Sequence, residues 1–403
     1  VFVVSDLRRR LARLLRRDPR KLKEAAEVLS AILEEDDEDV QVAGDLEDVL
    51  IESGDAESLV AFYRQRVDLA LDTDSKVELY LKICDLLRGP LGRPEDSVEY
   101  YRNILDVDDS HPGALAALDQ IFQSHERWEE LVSLVHRKID LEGQPRELAA
   151  LHVRVAKIAQ NELGDASRAL ESLSLAVELA PEHGEAIKLL EEMISDRHHD
   201  DYEFVAGRTL EVLIPLYRQV SDWKRVVELH ILEAELEDDR VQKAQNYLKI
   251  GNVWKERLVD DSEARKAYLQ ALELDPDDRE ITHLARTSSL EQEVLEPYVL
   301  LLERLLQEER IGAPAPRHLE VAALYDTHLG EQDKALSHYS SVLELEPFHP
   351  EALWASDRLY ELQNDDAIRV AGLERLAEVV PTTEDRMEVH GRLAMVSERL
   401  GDT

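Results

Sequence analysis

The sequence predicts an all-α fold made of tandem repeats, and two observations predict it. Glycine (15) and proline (14) are scarce among 403 residues, whereas the good helix formers Leu, Ala, Glu and Arg are frequent. Similar segments also recur along the chain at a near-constant period. A single core stops growing at roughly 250 to 300 residues, so a chain of this length needs several domains or a repeat array.

The recurring segments align on one turn position, held by Asp109, Pro181, Pro276 and Pro347 at spacings of 72, 95 and 71 residues. The middle spacing exceeds the others by about 24 residues, which is room for one additional helix and its loop. A second shared position lies 17 residues earlier in each segment, at Gly92, Gly164, Val259 and Gly330. Agreement between independent positions indicates true tandem repeats.

Each repeat unit divides into two halves, and each half has room for two helices. In residues 169–179, ALESLSLAVEL, apolar residues lie three and four apart, which is the pattern of a helix packed on one side. Pro181 cannot continue that helix, and it pushes Ala180 out of the helical region. Before the helix, Gly164 suits the end of the preceding helix and Asp165 suits the cap of the next.

The register predicts one continuous array over residues 1–403, and we expect it to be a fragment of a longer one. The chain starts inside a repeat and closes on ERLGDT, a turn after which another helix should begin. The expected units are 1–53, 54–125, 126–220 with an inserted helix near 185–203, 221–292, 293–364 and 365–403.

The region around Gly251 carries the residue types of a known repeat family. It reads Tyr247-x2-Ile250-Gly251-x2-Trp254-x9-Ala264-x3-Tyr268-x2-Ala271-x4-Pro276. This pattern resembles the tetratricopeptide repeat, W-x2-LG-x2-Y-x8-A-x3-F-x2-A-x4-P, with a turn one residue longer. Two more copies fit with the same extra residue: Val155, Ala156, Ala159, Ala169, Leu173, Ala176 and Pro181, then Val321, Ala322, Tyr325, Ala335, Tyr339, Val342 and Pro347.

The resemblance implies a right-handed α-α superhelix, that is, a solenoid of antiparallel helix hairpins. Each hairpin alone leaves an apolar face open, so stacking of neighbours supplies the stability. The long, degenerate repeats also resemble repeat proteins of high-GC bacteria such as the myxobacteria. In the family, the first helix of each pair lines a concave surface that holds peptides or partner proteins.

The resemblance therefore implies a set of partner-binding residues on the first helices. They are Leu248, Asn252, Lys255 and Glu256, then Lys157, Gln160 and Asn161, then Asp85 and Arg88. The family's carboxylate clamp, which grips a peptide C-terminus, is matched only by Asn252, because Leu248 stands where the clamp needs a lysine. The resemblance thus does not extend to a clamp for chaperone tails.

The net charge of −39 disfavours binding to nucleic acid and to anionic membranes, so we expect protein or peptide partners, and basic ones in particular. The exception is Leu7 to Lys23, with nine basic residues and one acid. There the leucines at 7, 11, 14 and 15 form one helix face. The remaining surface of this candidate docking helix carries Arg8, Arg9, Arg10, Arg13, Arg16 and Arg17.

Three interpretations of this basic helix stay open. Its leucines stack on the next repeat while its arginines meet acidic neighbours, or it docks on another acidic chain such as a second copy. The third, contact with nucleic acid or a membrane, is disfavoured because the few positive charges face a strongly acidic body.

No enzyme motif is present, and the sequence predicts neither a cofactor nor a catalytic residue. His198 and His199, inside DRHHDDYEF, are the one weak candidate for a metal site, and a polar loop explains them more simply. Cys84 stands at the helix-packing position that Gly251 and Ala322 fill in other copies, so we expect it to be buried.

These observations predict a non-catalytic scaffold or adaptor that binds a peptide or partner protein on the concave surface. Two alternatives stay open: a regulatory or sensory arm of a larger multidomain protein, and a structural protein that self-associates through exposed repeat ends. A single cysteine and the lack of an apolar membrane segment make the cytoplasm the default location. Because the chain starts without Met, a secreted or anchored full-length form stays open.

Overall fold

Helices connected by short turns make up the structure, a computed structural model that describes residues 2–197, 201–291 and 293–401, with side chains from residue 5 onward. Within these ranges there are α-helices and helical turns but no strand, so the all-α prediction is confirmed. The chain divides into two compact units, Val1–Glu192 and Met193–Thr403.

The helices of the first unit follow one another as antiparallel neighbours joined by short turns. Their bounds are α1 (Phe2–Arg16), α2 (Leu22–Leu33), α3 (Val40–Ser53), α4 (Ala56–Leu69), α5 (Thr73–Arg88), α6 (Val98–Val107), α7 (Pro112–Ser124), α8 (Trp128–Leu141), α9 (Pro145–Asn161), α10 (Ala166–Leu179) and α11 (Gly184–Ser195). The division between the two units falls within α11.

The helices of the second unit show the same alternation. Their bounds are α12 (Tyr202–Gln219), α13 (Trp223–Leu236), α14 (Arg240–Val253), α15 (Asp261–Leu274), α16 (Arg279–Glu291), α17 (Glu296–Gln307), α18 (Pro314–Leu324), α19 (Gln332–Leu345), α20 (Pro350–Gln363), α21 (Asp366–Val379) and α22 (Thr383–Leu400).

Side-chain caps explain where many of these helices begin. The Asp165 carboxylate accepts a hydrogen bond from the backbone N–H of Arg168 at 2.9 Å, and Asp260 and Asp39 cap α15 and α3 in the same way. Such caps satisfy backbone N–H groups that a helix start leaves without partners. The Gly-Asp turns of the sequence are therefore helix boundaries, as their residue types predict.

The ends of four helices explain the extra residue in the repeat turn. In each copy a backbone N–H reaches back six residues to a carbonyl, which encloses one residue more than an ordinary closing bond does. The residue before each closing N–H has a positive φ. The bonds are Arg93 N to Leu87 O (2.7 Å), Asp165 N to Ala159 O (2.8 Å), Asp260 N to Trp254 O (3.0 Å) and Glu331 N to Tyr325 O (3.1 Å).

Close packing inside each hairpin follows from small residues at fixed positions. Gly251 of α14 faces the ring of Tyr268 of α15, and both residues are buried in one apolar cluster with Ala264 and Ala271. Cys84 occupies the equivalent of Gly251 and is fully buried, as predicted. Burial raises the pKa of its thiol to about 12, so the thiolate is disfavoured and the residue serves packing.

The additional helix is α12, which overlaps the range 185–203 expected for it only at Tyr202 and Glu203. α11 starts three residues after Pro181, as α7 starts three residues after Asp109 and α16 three residues after Pro276. Residues 184–195 therefore fill a regular repeat position. Trp223 then starts α13 as Trp128 starts α8, which leaves α12 as the surplus element.

The basic helix α1 is turned differently from the expectation that its leucines stack on the next repeat. Leu7, Leu11 and Leu14 are 59%, 47% and 60% exposed, and among the described side chains of α1 only Ala12 and Leu15 pack against the core. The arginine side faces the acidic ends of neighbouring helices. The ion pairs are Arg8 to Glu35 at 2.6 Å, Arg9 to Asp39, and Arg16 to Glu52 at 2.7 Å. The arginine side of α1, and not the side of these three leucines, thus meets the neighbouring helices.

Candidate functional site

The candidate site is the first-helix face, by which we mean the exposed sides of the first helices of successive pairs. These helices are α3, α5, α7, α9 and α11 in the first unit and α14, α16, α18, α20 and α22 in the second. Both units carry on this face a series of polar bridges between one first helix and the next. We call this series the polar ladder.

In the first unit the polar ladder joins four successive pairs of first helices. Each contact connects side chains roughly one hairpin apart in sequence, which aligns the exposed sides of the helices. The contacts are Lys82 to Glu47 at 3.0 Å, Arg88 to Gln120 at 3.0 Å, Arg154 to Asp119 at 2.5 Å, and Lys157 to Glu185.

In the second unit the same kind of contact recurs. The bridges are Lys255 to Glu291 at 3.2 Å, Arg286 to Glu320 at 3.5 Å, Arg358 to Asp326, and Arg392 to Asp357 at 3.1 Å. Both signs of charge occur on either side of the bridges, so the first-helix face is mixed in charge even though the whole chain is acidic.

Of the predicted residues on α14 and its last turn, one is buried and three reach the surface. Leu248 is 6% exposed and belongs to the apolar cluster, so packing accounts for it and its side chain is not presented to a partner. Asn252 is half-buried and accepts a hydrogen bond from the Tyr268 hydroxyl at 2.8 Å. Lys255 belongs to the polar ladder, and Glu256 is exposed.

The predicted residues on α9 and α5 divide in a similar way. Lys157 and Arg88 are members of the polar ladder, and Arg88 also donates to the Tyr101 hydroxyl at 3.2 Å. Gln160 is half-buried, whereas Asn161 and Asp85 are exposed. Eight of the nine predicted residues therefore present polar groups on the first-helix face.

Asp119 is the most enclosed carboxylate of the polar ladder in the first unit. Its side chain is 15% exposed and accepts from Arg154 and Lys138. Burial acts to raise the pKa of Asp119, but the hydrogen bonds and charges of Arg154 and Lys138 outweigh it and hold the pKa below its ordinary value. The other ion pairs of the ladder in this unit are more exposed, and exposed ion pairs contribute only about 0–1 kcal/mol each. A charged partner can therefore replace them at little cost.

The five predicted docking arginines of α1 do not all remain available. Arg8, Arg9 and Arg16 are engaged by acidic side chains of the same unit. Arg13 and Arg17 are exposed at the surface.

The metal candidates of the sequence cannot be placed, because His198 and His199 lie outside the described residues. Elsewhere in the described ranges no group of three or more His, Cys, Asp or Glu side chains is arranged to hold a metal ion. None of the described helices has both the length and the apolar character needed to cross a bilayer.

Sequence reasoning missed a half-buried histidine pair in the second unit. Nδ1 of His318 lies 2.9 Å from Nδ1 of His338, and Nε2 of His338 lies 3.1 Å from a Glu303 oxygen that also accepts from Tyr325. Nothing in the repeat register marks these residues, which are 7 to 35 positions apart. Only the packing of α17, α18 and α19 brings them together.

The helix pairs can now be compared with known proteins. No family model matches the chain, and no curated protein matches it. Among solved structures, yeast Tom70 is similar at 12% identity and a TM-score of 0.28, over 99% of this chain and 96% of that one. Naa15/Naa10 bound to HypK-THB is similar at the same identity and TM-score, over 99% of this chain and 66% of that one.

The hairpins of this chain resemble the tetratricopeptide repeat, because small residues face large ones at the positions of the repeat pattern. The likeness concerns the fold alone. Bacterial origin remains a prediction from the sequence.

Proposed function

We propose that this chain is a non-catalytic scaffold that holds a peptide or a partner protein on the first-helix face. One observation carries the proposal. At register-equivalent positions the scaffold residues keep their size class, whereas the polar residues change. Asp85, Lys157 and Asn252 are equivalent to one another, as are Arg88, Gln160 and Lys255.

A constant frame with changing polar groups suits recognition of an extended chain. Each hairpin presents a different donor, acceptor or charge at a fixed place, and successive first helices lie side by side. A partner laid across them would meet a specific order of groups, which gives specificity in the way that complementary charges do. The exposed bridges of the polar ladder, such as Lys157 to Glu185, support this, because a partner's charges can take over their roles.

A basic partner fits the electrostatics best. The net charge of −39 attracts cations at long range and speeds encounter, and this attraction weakens as salt screens it. We therefore propose that association is fastest at low ionic strength and slows as salt is added.

A matched pair of variants tests the proposed surface. Lys255→Ala/Glu256→Ala removes one cation and one anion from the first-helix face, and Lys266→Ala/Glu263→Ala does the same on α15 of the same hairpin. Each variant, and the natural chain, is used to capture peptides from an array of basic, neutral and acidic sequences. We expect the first variant to lose at least tenfold in affinity for the captured peptides and the second to retain them.

Two results would contradict the proposal. Equal loss in both double variants would mean that the first-helix face has no special role. Preferential capture of acidic peptides, or capture that strengthens with added salt, would remove the electrostatic part while leaving the surface itself open to test by the variants.

A further inference from the structure

A cavity of about 240 Å³ lies between α19, α20 and α21 of the second unit. Small residues create it: Ser340, Ser356 and Gly372 each stand where one of the three helices faces the space. A Cβ placed on Gly372 would meet nothing within 4 Å. The missing side-chain volume therefore leaves the space open to a small molecule.

Ser356 carries a buried hydroxyl that no protein group satisfies. The residue is 6% exposed, and its Oγ has no hydrogen-bond partner among the described residues. Buried polar groups in folded proteins are almost always hydrogen-bonded, and leaving one without a partner is costly. An unsatisfied hydroxyl in the wall of a cavity indicates that a polar group completes it from inside.

Two opposite charges line the same cavity from different helices. Arg375 of α21 donates Nε–H to the Ala371 carbonyl at 3.3 Å, and Glu344 belongs to α19. Neither side chain forms an ion pair with another described residue. By contrast, Arg369 and Asp357 in the cavity floor are engaged with each other. One cationic and one anionic group thus remain for a ligand.

Three apolar side chains also line the cavity, beside Tyr360. Leu343, Leu353 and Ile368 contribute one branched side chain from each of the three helices. A site of this kind combines an apolar body with a few polar groups that fix orientation, and its volume is below the roughly 300–1,000 Å³ of sites for drug-sized ligands. The ligand is consequently small, with an apolar part.

We propose that this cavity binds a small apolar α-amino acid, with its carboxylate at Arg375 and its ammonium group at Glu344. The aliphatic side chain lies among Leu343, Leu353 and Ile368, and Ser356 completes its hydrogen bonding with a polar atom of the ligand. A zwitterion has no net charge, so the overall charge of −39 does not repel it as it would a free anion. The cavity shares Asp357 with the polar ladder, but amino-acid binding in it does not depend on the proposed scaffold role.

Titration calorimetry with the whole chain and L-leucine tests the proposal. Two analogues each lack one charge: 4-methylpentanoate has no ammonium group, and 3-methylbutylamine has no carboxylate. We expect saturable binding of leucine with one site per chain, and at least tenfold weaker binding of each analogue. Absence of heat or of any chemical-shift change up to about 10 mM leucine would overturn the proposal, as would equal affinity for leucine and 4-methylpentanoate.

Variants locate the binding in this cavity. Gly372→Leu fills the space, and we expect it to abolish binding, whereas Gly391→Leu on α22, where a Cβ also meets nothing within 4 Å, leaves binding unchanged. Arg375→Gln should lower the affinity for leucine at least tenfold and leave the affinity for 3-methylbutylamine unchanged. Ser356→Ala is the second variant in case Gly372→Leu does not fold. We expect it to fold and to weaken the binding of leucine severalfold. Unchanged leucine binding in Arg375→Gln and Ser356→Ala would refute the assignment.

Discussion

Gly251 of α14 lies against the ring of Tyr268 of α15, so closely that a Cβ at Gly251 would come within 2.4 Å of the ring carbon Cε1. Tyr268 is 1% exposed, and the surrounding cluster leaves its ring little room to move. Glycine at this position is therefore a packing requirement of this hairpin.

We expect Gly251→Ala to destabilise the second unit by about 1–2 kcal/mol, although alanine is the better helix former. The estimate is at the lower end for overpacking because Ala322 faces Tyr339 in the equivalent copy, which shows that such a ring can be accommodated. Urea unfolding followed by circular dichroism measures the shift. Gly44→Ala is the control, since a Cβ there meets nothing within 4 Å, and it should be neutral or stabilising.

A second pair of variants separates overpacking from other effects of alanine. The copy in the first unit pairs Ala156 with Leu173 at the positions of Gly251 and Tyr268. In a Tyr268→Leu background, adding Gly251→Ala should therefore cost nothing or stabilise. If the alanine remained destabilising there, the steric explanation would be wrong.

Asp357 and Arg369 form a buried ion pair in the second unit. They are 3% and 2% exposed, Nε of Arg369 lies 2.7 Å from Oδ1 of Asp357, and Arg392 approaches Oδ2 at 3.1 Å. Removing one member of a buried pair leaves the other charge inside the protein with fewer partners, which is far more costly than losing an exposed pair.

Asp357→Ala should accordingly cost about 3–5 kcal/mol of unfolding free energy. Arg392→Ala removes only the more exposed partner, whose side chain is 29% exposed, and should cost about 1 kcal/mol or less. Chemical denaturation of the two variants at low and high salt compares them, and only the Arg392 effect should shrink as salt is added. Similar costs for both would show that burial does not govern this pair.

Much of the fold could be predicted from residue types at fixed spacings. Small residues such as Ala264, prolines after helices such as Pro276, and capping residues such as Asp260 act within a few residues of their own position. The repeat register then predicts the same helix boundaries and packing positions in each further copy. The orientation of α1 could not be predicted in this way. Whether Leu7 is buried depends on which neighbouring helix packs beside it, and the local sequence does not specify that helix.

The sequence predicted which residues lie on the first-helix face, but not which side chains they contact on neighbouring hairpins. That Lys255 reaches the first-helix face follows from the helical period, whereas its bridge to Glu291 depends on the angle between two hairpins. The cavity beside Ser356 depends on three helices at once. Neither feature leaves a local pattern in the sequence, since each requires residues that are brought together only by packing.

The His318 imidazole links the stability of the second unit to pH. Burial lowers the pKa of His318 below its ordinary value of 6.5, and the charge of nearby His338 lowers it further, whereas Glu344 acts in the opposite direction. The folded state therefore favours neutral His318, and unfolding takes up a proton at pH values below about 6.5. The stabilisation is present above pH 6.5 and is lost as the pH falls through the lowered pKa.

We expect the melting temperature of the natural chain to fall between pH 7 and pH 5 and to fall less steeply in His318→Gln. The slope should diminish without vanishing, because burial and the charge of His136 also lower the pKa of His152 in the first unit. His328→Gln, at an exposed position, is the matched control and should keep the slope of the natural chain. A slope unchanged in His318→Gln would show that this imidazole does not contribute.

Val259 and Gly330 hold the same place in two equivalent turns, and both have a positive φ, 54° and 72°. A β-branched residue in this left-handed region is strained, by roughly 1–2 kcal/mol, whereas glycine adopts it freely. Val259 is 77% exposed, so its side chain gains little from packing that would offset the strain. Glycine in place of Val259 and valine in place of Gly330 should thus change stability in opposite directions.

Val259→Gly should stabilise the second unit by about 1 kcal/mol, since relief of strain is partly offset by the greater freedom of glycine in the unfolded chain. Gly330→Val should destabilise it by about 1–2 kcal/mol, and for backbone reasons alone, because a Cβ there meets nothing within 4 Å. Hydrogen exchange reports the effect locally, at the Asp260 N–H that closes the turn onto the Trp254 carbonyl. Its exchange should slow in Val259→Gly, and faster exchange there would mean that valine is held in this turn by contacts stronger than the strain.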